Sequence, residues 1–532
     1  MQPDIQFRDG IIYDGLGSPG FLGCLDVTDG RISAVGGPER QAKKIIDCSG
    51  LAVSPGFLDV HTHADLFAAD IQRMKSFLCQ GVTTCIVGNC GFSAFPLEGE
   101  AGREHLKYAA GVMGSLTESA GWASFSGFSR AMDGRLAVNI ASHAGHGALR
   151  AFVVGNQETP PSGEQIQKMC EVLDQMLSEG AAGLSLGLIY SPGSTSERTE
   201  LVELAKAVYR HRKVLAVHLR DEGARLSESI EEILSIAEET NVHVHISHHK
   251  VMGPGNWGKS IESLKLLQQG MKRGLSVSLD AYPYDAACST AMVLFPPWVM
   301  SKGTGQALRR LRDREMLSQI QKDIKEGIPG WENLSASCGW HRLEICATAS
   351  HDQTVEGKSL SELGEAWKVS PLEALAGILV KENGAASVVI RGMSQEDVGN
   401  IIAFPDTLIG SDSLFADGCL HPRKSGSFAK VFRYYVRGQK ILTTEEAICR
   451  MTGKAAATFG LLDRGVLKEG YRADLAVFSP EKFCDMADFS HPDQDAEGME
   501  HVYVNGKAVL EHGKLTGAAP GRVLCINGRA NS

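Results

Sequence analysis

The chain has 532 residues, 43% of them hydrophobic and 22% charged, with a net charge of -10 and a pI near 6.0. That length accommodates a barrel of ordinary size plus a second domain. The acidic balance does not suggest nucleic-acid binding, which needs a basic surface, though it leaves room for a local basic patch, and no run of 18 or more apolar residues suggests a membrane span. The thirteen cysteines are scattered without a CxxC pair, and the start "MQPDIQFRDGIIYDG" has neither a basic n-region nor a long apolar core. Reduced thiols and a cytoplasmic location are therefore expected.

Residues 1–54 read as short strands joined by Gly-rich turns, as in "IQFRDGIIYDG" and "FLGCLDVTDGRISAVGG". Residues 466–532 read the same way, with "ADLAVFSP" and "HVYVNGKAVLEHGKLTG". Alternating patterns with Asp-Gly and Asn-Gly turns are hairpin signals, so the two ends are expected to form one small β-domain. The middle, 55–465, alternates apolar strand-like runs with helical stretches. Eight runs stand out: 57–63, 83–90, 136–146, 182–190, 214–220, 242–250, 275–284 and 407–413. Helices are expected between them, for example over 162–180, 201–212 and 229–240, and "QALRRLRDREMLSQIQKDIKEG" (306–327) reads as a solvated amphipathic helix. Eight buried parallel strands with intervening helices predict an α/β fold of the (β/α)8 TIM type. The long interval before the eighth strand predicts an inserted lid over 285–345.

In such a barrel the active site lies at the C-terminal ends of the strands. Strand one ends in "HTH" (His61, His63), strand two in "GNCG" (Cys90), strand five in "AVHLRDEG" (His218), strand six in "ISHHK" (His248 or His249) and strand eight in "GSDS" (Asp412). Residues i and i+2 of a strand face the same way, about 6–7 Å apart, so His61 and His63 can grip one ion between them. Converging imidazoles with one thiolate and one carboxylate suit zinc. By the same period, His243 and His245 share a face with His249 rather than His248, and read as structural.

This constellation resembles the amidohydrolase superfamily, through "PGFLDVHTHAD", the paired histidines of strands five and six, and the strand-eight Asp. Within it the chain resembles the D-aminoacylase (N-acyl-D-amino-acid deacylase) family in "GVTTCIVGNCGFS" (81–93), "GHGALR" (145–150), "GLSLGLIYSPG" (183–193), "HLRDEG" (218–223), "DAYPY" (280–284), "LFPPW" (294–298), "HPR" (421–423) and the ending at 504–524. The resemblance implies one zinc held tightly by Cys90, His218 and His248, and a second, weaker site at His61, His63 and Asp412 with Cys90 able to bridge. The ligand of strand six is then His248, two residues before the lysine. It also implies hydrolysis of N-acyl-D-amino acids by metal-activated water, with Asp412 as acid and base, and a small-molecule substrate whose α-carboxylate meets Lys250, Arg423, Tyr190 and Tyr282. Tyr284 rivals Tyr282, because "YPYDAACST" looks one residue longer than the family pattern, and "SLFADGCL" after Asp412 departs from it. "LFPPW" is either an apolar pocket wall or packing. Many cyclic-amide hydrolases of the hydantoinase or dihydroorotase kind carry a lysine for carbamylation on strand four, where "AGLSLGLIY" has none, which counts against that reading. The same motifs also admit a D-dipeptidase or an inactive scaffold homologue. The oligomeric state is left open.

Overall fold

All eight apolar runs become barrel strands, since each can be buried on both faces and is bounded by a turn or helix. In the computed structural model, which describes residues 2–114, 121–157, 159–416 and 418–528, they are Phe57–Asp59, Val82–Val87, Asn139–Ser142 with Ala144–Gly145, Gly183–Gly187, Val214–His218, His243–Ile246, Val277–Ala281 and Thr407–Ile409. Neighbours pair in parallel. The third strand is interrupted at His143, where one run of pairing gives way to the next. After the eighth strand the chain returns to the first: Asp412 N donates to His61 O at 2.7 Å, and His63 N donates to Ser413 O at 3.0 Å. This is the strand order of a (β/α)8 barrel.

The helices begin and end where the sequence carries caps. Gly163–Glu179 opens on a reciprocal Ser162–Gln165 capping box and stops at Gly180, whose φ of 121° a side chain would resist. Leu226–Thr240 buries Leu226, Ile230, Ile233, Leu234 and Ala237 along one stripe. The solvated helix expected over 306–327 is two helices, Thr304–Arg312 and Arg314–Glu326. Asp313 breaks it by leaving the helical region and using its carboxylate to accept from the N–H groups of Glu315 and Met316.

Both chain ends contribute to one nine-stranded sheet. Ala52–Pro55 lies between Ile5–Ile12 and Leu475–Phe478, with Leu475 opposite Pro55 and Phe478 opposite Ala52. Phe57 follows at once and packs on Phe428, Phe432, Phe478 and Phe483, with ring centroids 5.9 to 6.3 Å away. One aromatic cluster thus holds the first barrel strand against the terminal sheet. Between the seventh and eighth strands, Ala287–Thr290, Leu343–Thr348 and Ala386–Ile390 form a separate antiparallel sheet, so the inserted structure continues past residue 345. Among the described residues, no helix is long and apolar enough to cross a membrane.

Candidate metal centre and substrate pocket

Five barrel strands bring His61, His63, Cys90, His218, His248 and Asp412 to one buried spot. Cys90 Sγ is 3.3 Å from His61 Nε2 and 3.2 Å from His248 Nε2. His218 Nδ1 is 2.8 Å from His248 Nε2. Asp412 Oδ1 is 3.5 Å from His61 Nε2 and 3.4 Å from His63 Nε2. Donor atoms lie within 4.8 Å of one another in three overlapping triads: His61, His63 and Cys90; Cys90, His218 and His248; His61, His248 and Asp412.

The electrostatics of the cluster call for a positive charge. Burial pushes the His218 and His248 imidazoles well below their ordinary range, leaving them neutral with free lone pairs. It pushes the Cys90 thiol up, against ionisation. At His61 burial acts the same way as at the other imidazoles, but Cys90 and Asp280 outweigh it and hold a proton there well above the usual pH. Burial alone would raise Asp412; the Arg423 guanidinium and neighbouring imidazoles outweigh it and keep the carboxyl well below the carboxylate range. The neutral imidazoles of His218 and His248, a buried thiol and one carboxylate are a donor set that suits zinc.

The backbone aims these groups by strain. Cys90, His248 and Asp412 have φ of 55°, 36° and 50°, in the left-handed region that non-glycine residues avoid. At His248 this turn breaks the strand's alternation. The His248 ring faces Cys90, while His249 turns away to Ser263, 2.9 Å off. His245 does not go with His249: its Nε2 lies 2.8 Å from Asp280, which in turn is 3.5 Å from His61 Nδ1. Beside Cys90, Gly187 must lack a side chain, because a Cβ there would overlap the Cys90 carbonyl oxygen.

A profile of the amidohydrolase family matches residues 44–510. The chain belongs to the amidohydrolase family. Within it, this amidohydrolase falls with the D-aminoacylases: it is 34% identical to the D-aminoacylase of Alcaligenes xylosoxydans xylosoxydans over 98% of this chain and 97% of that one. The crystal structure of N-acyl-D-glutamate deacylase from Bordetella bronchiseptica, complexed with zinc and a phosphonate mimic of the tetrahedral intermediate, matches with a TM-score of 0.83 at 30% identity, covering 99% of this chain and 100% of that one. A D-aminoacylase structure, described by a binuclear metal centre with one-metal activation and second-metal attenuation, matches with a TM-score of 0.82 at 34% identity, covering 98% and 99%.

Two carboxylates of this amidohydrolase stand behind the imidazoles, and the motifs had not singled out either. Glu222 Oε1 is 3.3 Å from His248 Nδ1, and Glu222 Oε2 is 3.6 Å from His218 Nε2. Asp280 serves His61 and His245 in the same way. Carboxylates so placed fix ring orientation and raise ligand basicity. The signal was present in "HLRDEG" and "DAYPY", where an acidic residue follows or ends a barrel strand.

The pocket above the cluster is lined by His63, His218, His248 and Asp412 at its floor. Lys250, Tyr190, Tyr282, Glu222 and Glu332 supply other polar groups, and Val112, Val293, Leu334, Ile390 and Leu414 the apolar wall. Lys250 Nζ lies 2.7 Å from Glu222 Oε1 and 2.6 Å from His248 Nδ1. Tyr190 OH is 2.8 Å from Ser289 Oγ. Tyr282 lines the pocket, whereas Tyr284 lies away from it under Lys430, 3.9 Å from the ring centre. Arg423 does not line the pocket: it donates to Asp412 Oδ2 at 2.6 Å and to the Cys288 carbonyl at 2.9 Å. "LFPPW" is packing, with Leu294 and Phe295 buried and Trp298 donating to Asp323 at 2.8 Å; only Val293, just before it, reaches the pocket.

Proposed function

We propose that this chain is a zinc-dependent hydrolase that cleaves the amide of N-acyl-D-amino acids into a carboxylate and a free D-amino acid. The reading is carried by the overlapping triads around Cys90, set in a chain that matches D-aminoacylases over nearly its whole length. Cys90, His218 and His248 would hold the tighter zinc; His61, His63 and Asp412 would offer a second, weaker position. A zinc ion held there would supply Lewis acidity for the scissile carbonyl and for ionisation of the attacking water.

The chain's own groups would do the rest. Asp412, ionised at neutral pH, takes the proton of the attacking water and returns it to the departing nitrogen. Arg423 occupies Oδ2, which leaves Oδ1 facing the imidazoles. Lys250 is the pocket cation for the substrate α-carboxylate, with Tyr190 and Tyr282 lining the same pocket. Arg423 could join them only by giving up Asp412 or the Cys288 carbonyl. The fourth strand, Gly183–Gly187, carries no lysine for a carbamate, which disfavours the cyclic-amide reading. The test is amine release from paired N-acetyl-D- and N-acetyl-L-amino acids by zinc-loaded protein. Turnover of D-substrates alone, falling about 10²–10⁴-fold in Asp412→Asn, is expected. No turnover of any member with zinc bound would overturn the reading.

A further inference from the structure

Three thiols meet outside the catalytic cluster. The sulfurs of Cys288, Cys346 and Cys419 lie within 4.8 Å of one another, and those of Cys346 and Cys419 are 3.2 Å apart. The fold brings them in from three directions. Cys288 sits on the strand Ala287–Thr290 and Cys346 on Leu343–Thr348, the two flanks of the inserted sheet. The pairing register slips between Ile345 and Ala347, so Cys346 is the bulged residue, and a bulge re-aims a side chain. Cys419 comes from the segment joining Asp412 to Arg423.

A single buried thiol is ordinary packing. Three that converge, with polar support, are not accounted for by packing alone. The Leu420 N–H donates to Cys346 Sγ at 3.2 Å, and the Arg423 guanidinium is anchored on the Cys288 carbonyl at 2.9 Å. Both favour thiolate over thiol. Burial pushes Cys288 and Cys346 well up, whereas hydrogen bonds from both draw Cys419 well down, so one sulfur of the three gives up its proton first.

We propose that Cys288, Cys346 and Cys419 bind one thiophilic cation of the Zn²⁺, Cd²⁺ or Cu⁺ type in an all-sulfur site distinct from the cluster around Cys90, at the wall of the substrate pocket that Cys288 helps to line. Thiolates about 2.3 Å from a shared zinc stand roughly 3.8–4.0 Å apart. Cys346 and Cys419 therefore separate by about 0.6–0.8 Å on binding, by that same Zn–S geometry. The cation ties the segment between Asp412 and Arg423 to the inserted sheet that walls the pocket. This site does not depend on what the enzyme hydrolyses.

Cd²⁺ is the probe, and the full-length Cys90→Ser variant removes the sulfur of the catalytic triads. X-ray absorption on that variant, loaded with one equivalent of Cd²⁺, is expected to show three sulfur neighbours, lost when Cys346→Ser is added. Wild-type protein saturated with Cd²⁺ gives the same answer without a variant, through a ¹¹³Cd resonance in the deshielded all-sulfur range. Cadmium coordinated only by nitrogen and oxygen in Cys90→Ser, or no such resonance in the wild type, overturns the proposal. So does a thiol titration of the unreduced protein that falls two short and is restored by reductant, since the pair would then be a disulfide.

Discussion

Arg423 Nη1 donates to Asp412 Oδ2 at 2.6 Å, and both groups are buried. The pair fixes one carboxylate oxygen and keeps the other ionised toward the imidazoles. Because Arg423 lowers the Asp412 pKa against burial, removing the guanidinium must raise it. Arg423→Met is expected to move the acid limb of the kcat/KM profile upward by about 1–3 pH units. A limb that stays in place would mean that Asp412 is not the base being titrated.

Glu222 makes a second such relationship, with two imidazoles and one ammonium competing for its oxygens. His248 Nδ1 cannot both accept from Lys250 and donate to Glu222. When Nε2 gives its lone pair to a metal, Nδ1 carries the proton and the Glu222 contact is the one that survives. Glu222→Gln is expected to weaken zinc binding about 10–100-fold, read by competition with a chromogenic chelator. Unchanged affinity would reduce Glu222 to a partner of Lys250 alone.

Metal removal tests the donor set directly. Dialysis against a strong chelator should abolish amide hydrolysis, and zinc should restore it. Cys90→Ser should require far more zinc for the same recovery. Zinc affinity should fall as pH drops, because thiol and imidazole must lose their protons to bind. Full activity in the metal-free protein would contradict the zinc requirement.

Glu332 affects stability. It lies buried in the pocket wall, and burial followed by Asp221 and Glu222 pushes its carboxyl well above the ordinary range. A free Glu titrates near 4.3. Between that value and the raised one, the folded chain binds more protons than the unfolded chain, so stability falls as pH rises. Glu332→Gln removes this loss. Its Tm should exceed that of the wild type by on the order of 1–3 °C at pH 8 and by less at pH 5. An equal gain at both pH values would rule out titration as the cause.

Much of this site is legible in the chain alone. Six residues at strand ends stand out because barrel strands are continuous apolar runs, and the polar residue that ends each run breaks the pattern. Periodicity fails at His248, where a left-handed residue re-aims the ring and the period-two rule no longer applies. It assigns His245 to the wrong company for the same reason. Glu222 and Asp280 escape notice because an acidic residue near a strand end also suits a turn or a cap. The thiols of Cys288, Cys346 and Cys419 give no local signal, since no two lie near each other in the chain and their meeting depends on a bulge and a long insertion.

The pairing of Ala52–Pro55 with Leu475–Phe478 sets a timetable for synthesis. At about 5–20 residues per second, the early strand waits roughly 20–80 s on the ribosome before its late partner emerges. Through that interval one edge of the strand just ahead of His61 and His63 is open, and Phe57 lacks the Phe428, Phe432, Phe478 and Phe483 rings that later cover it. The nascent chain thus carries His61 and His63 beside an exposed apolar edge until the last strands arrive.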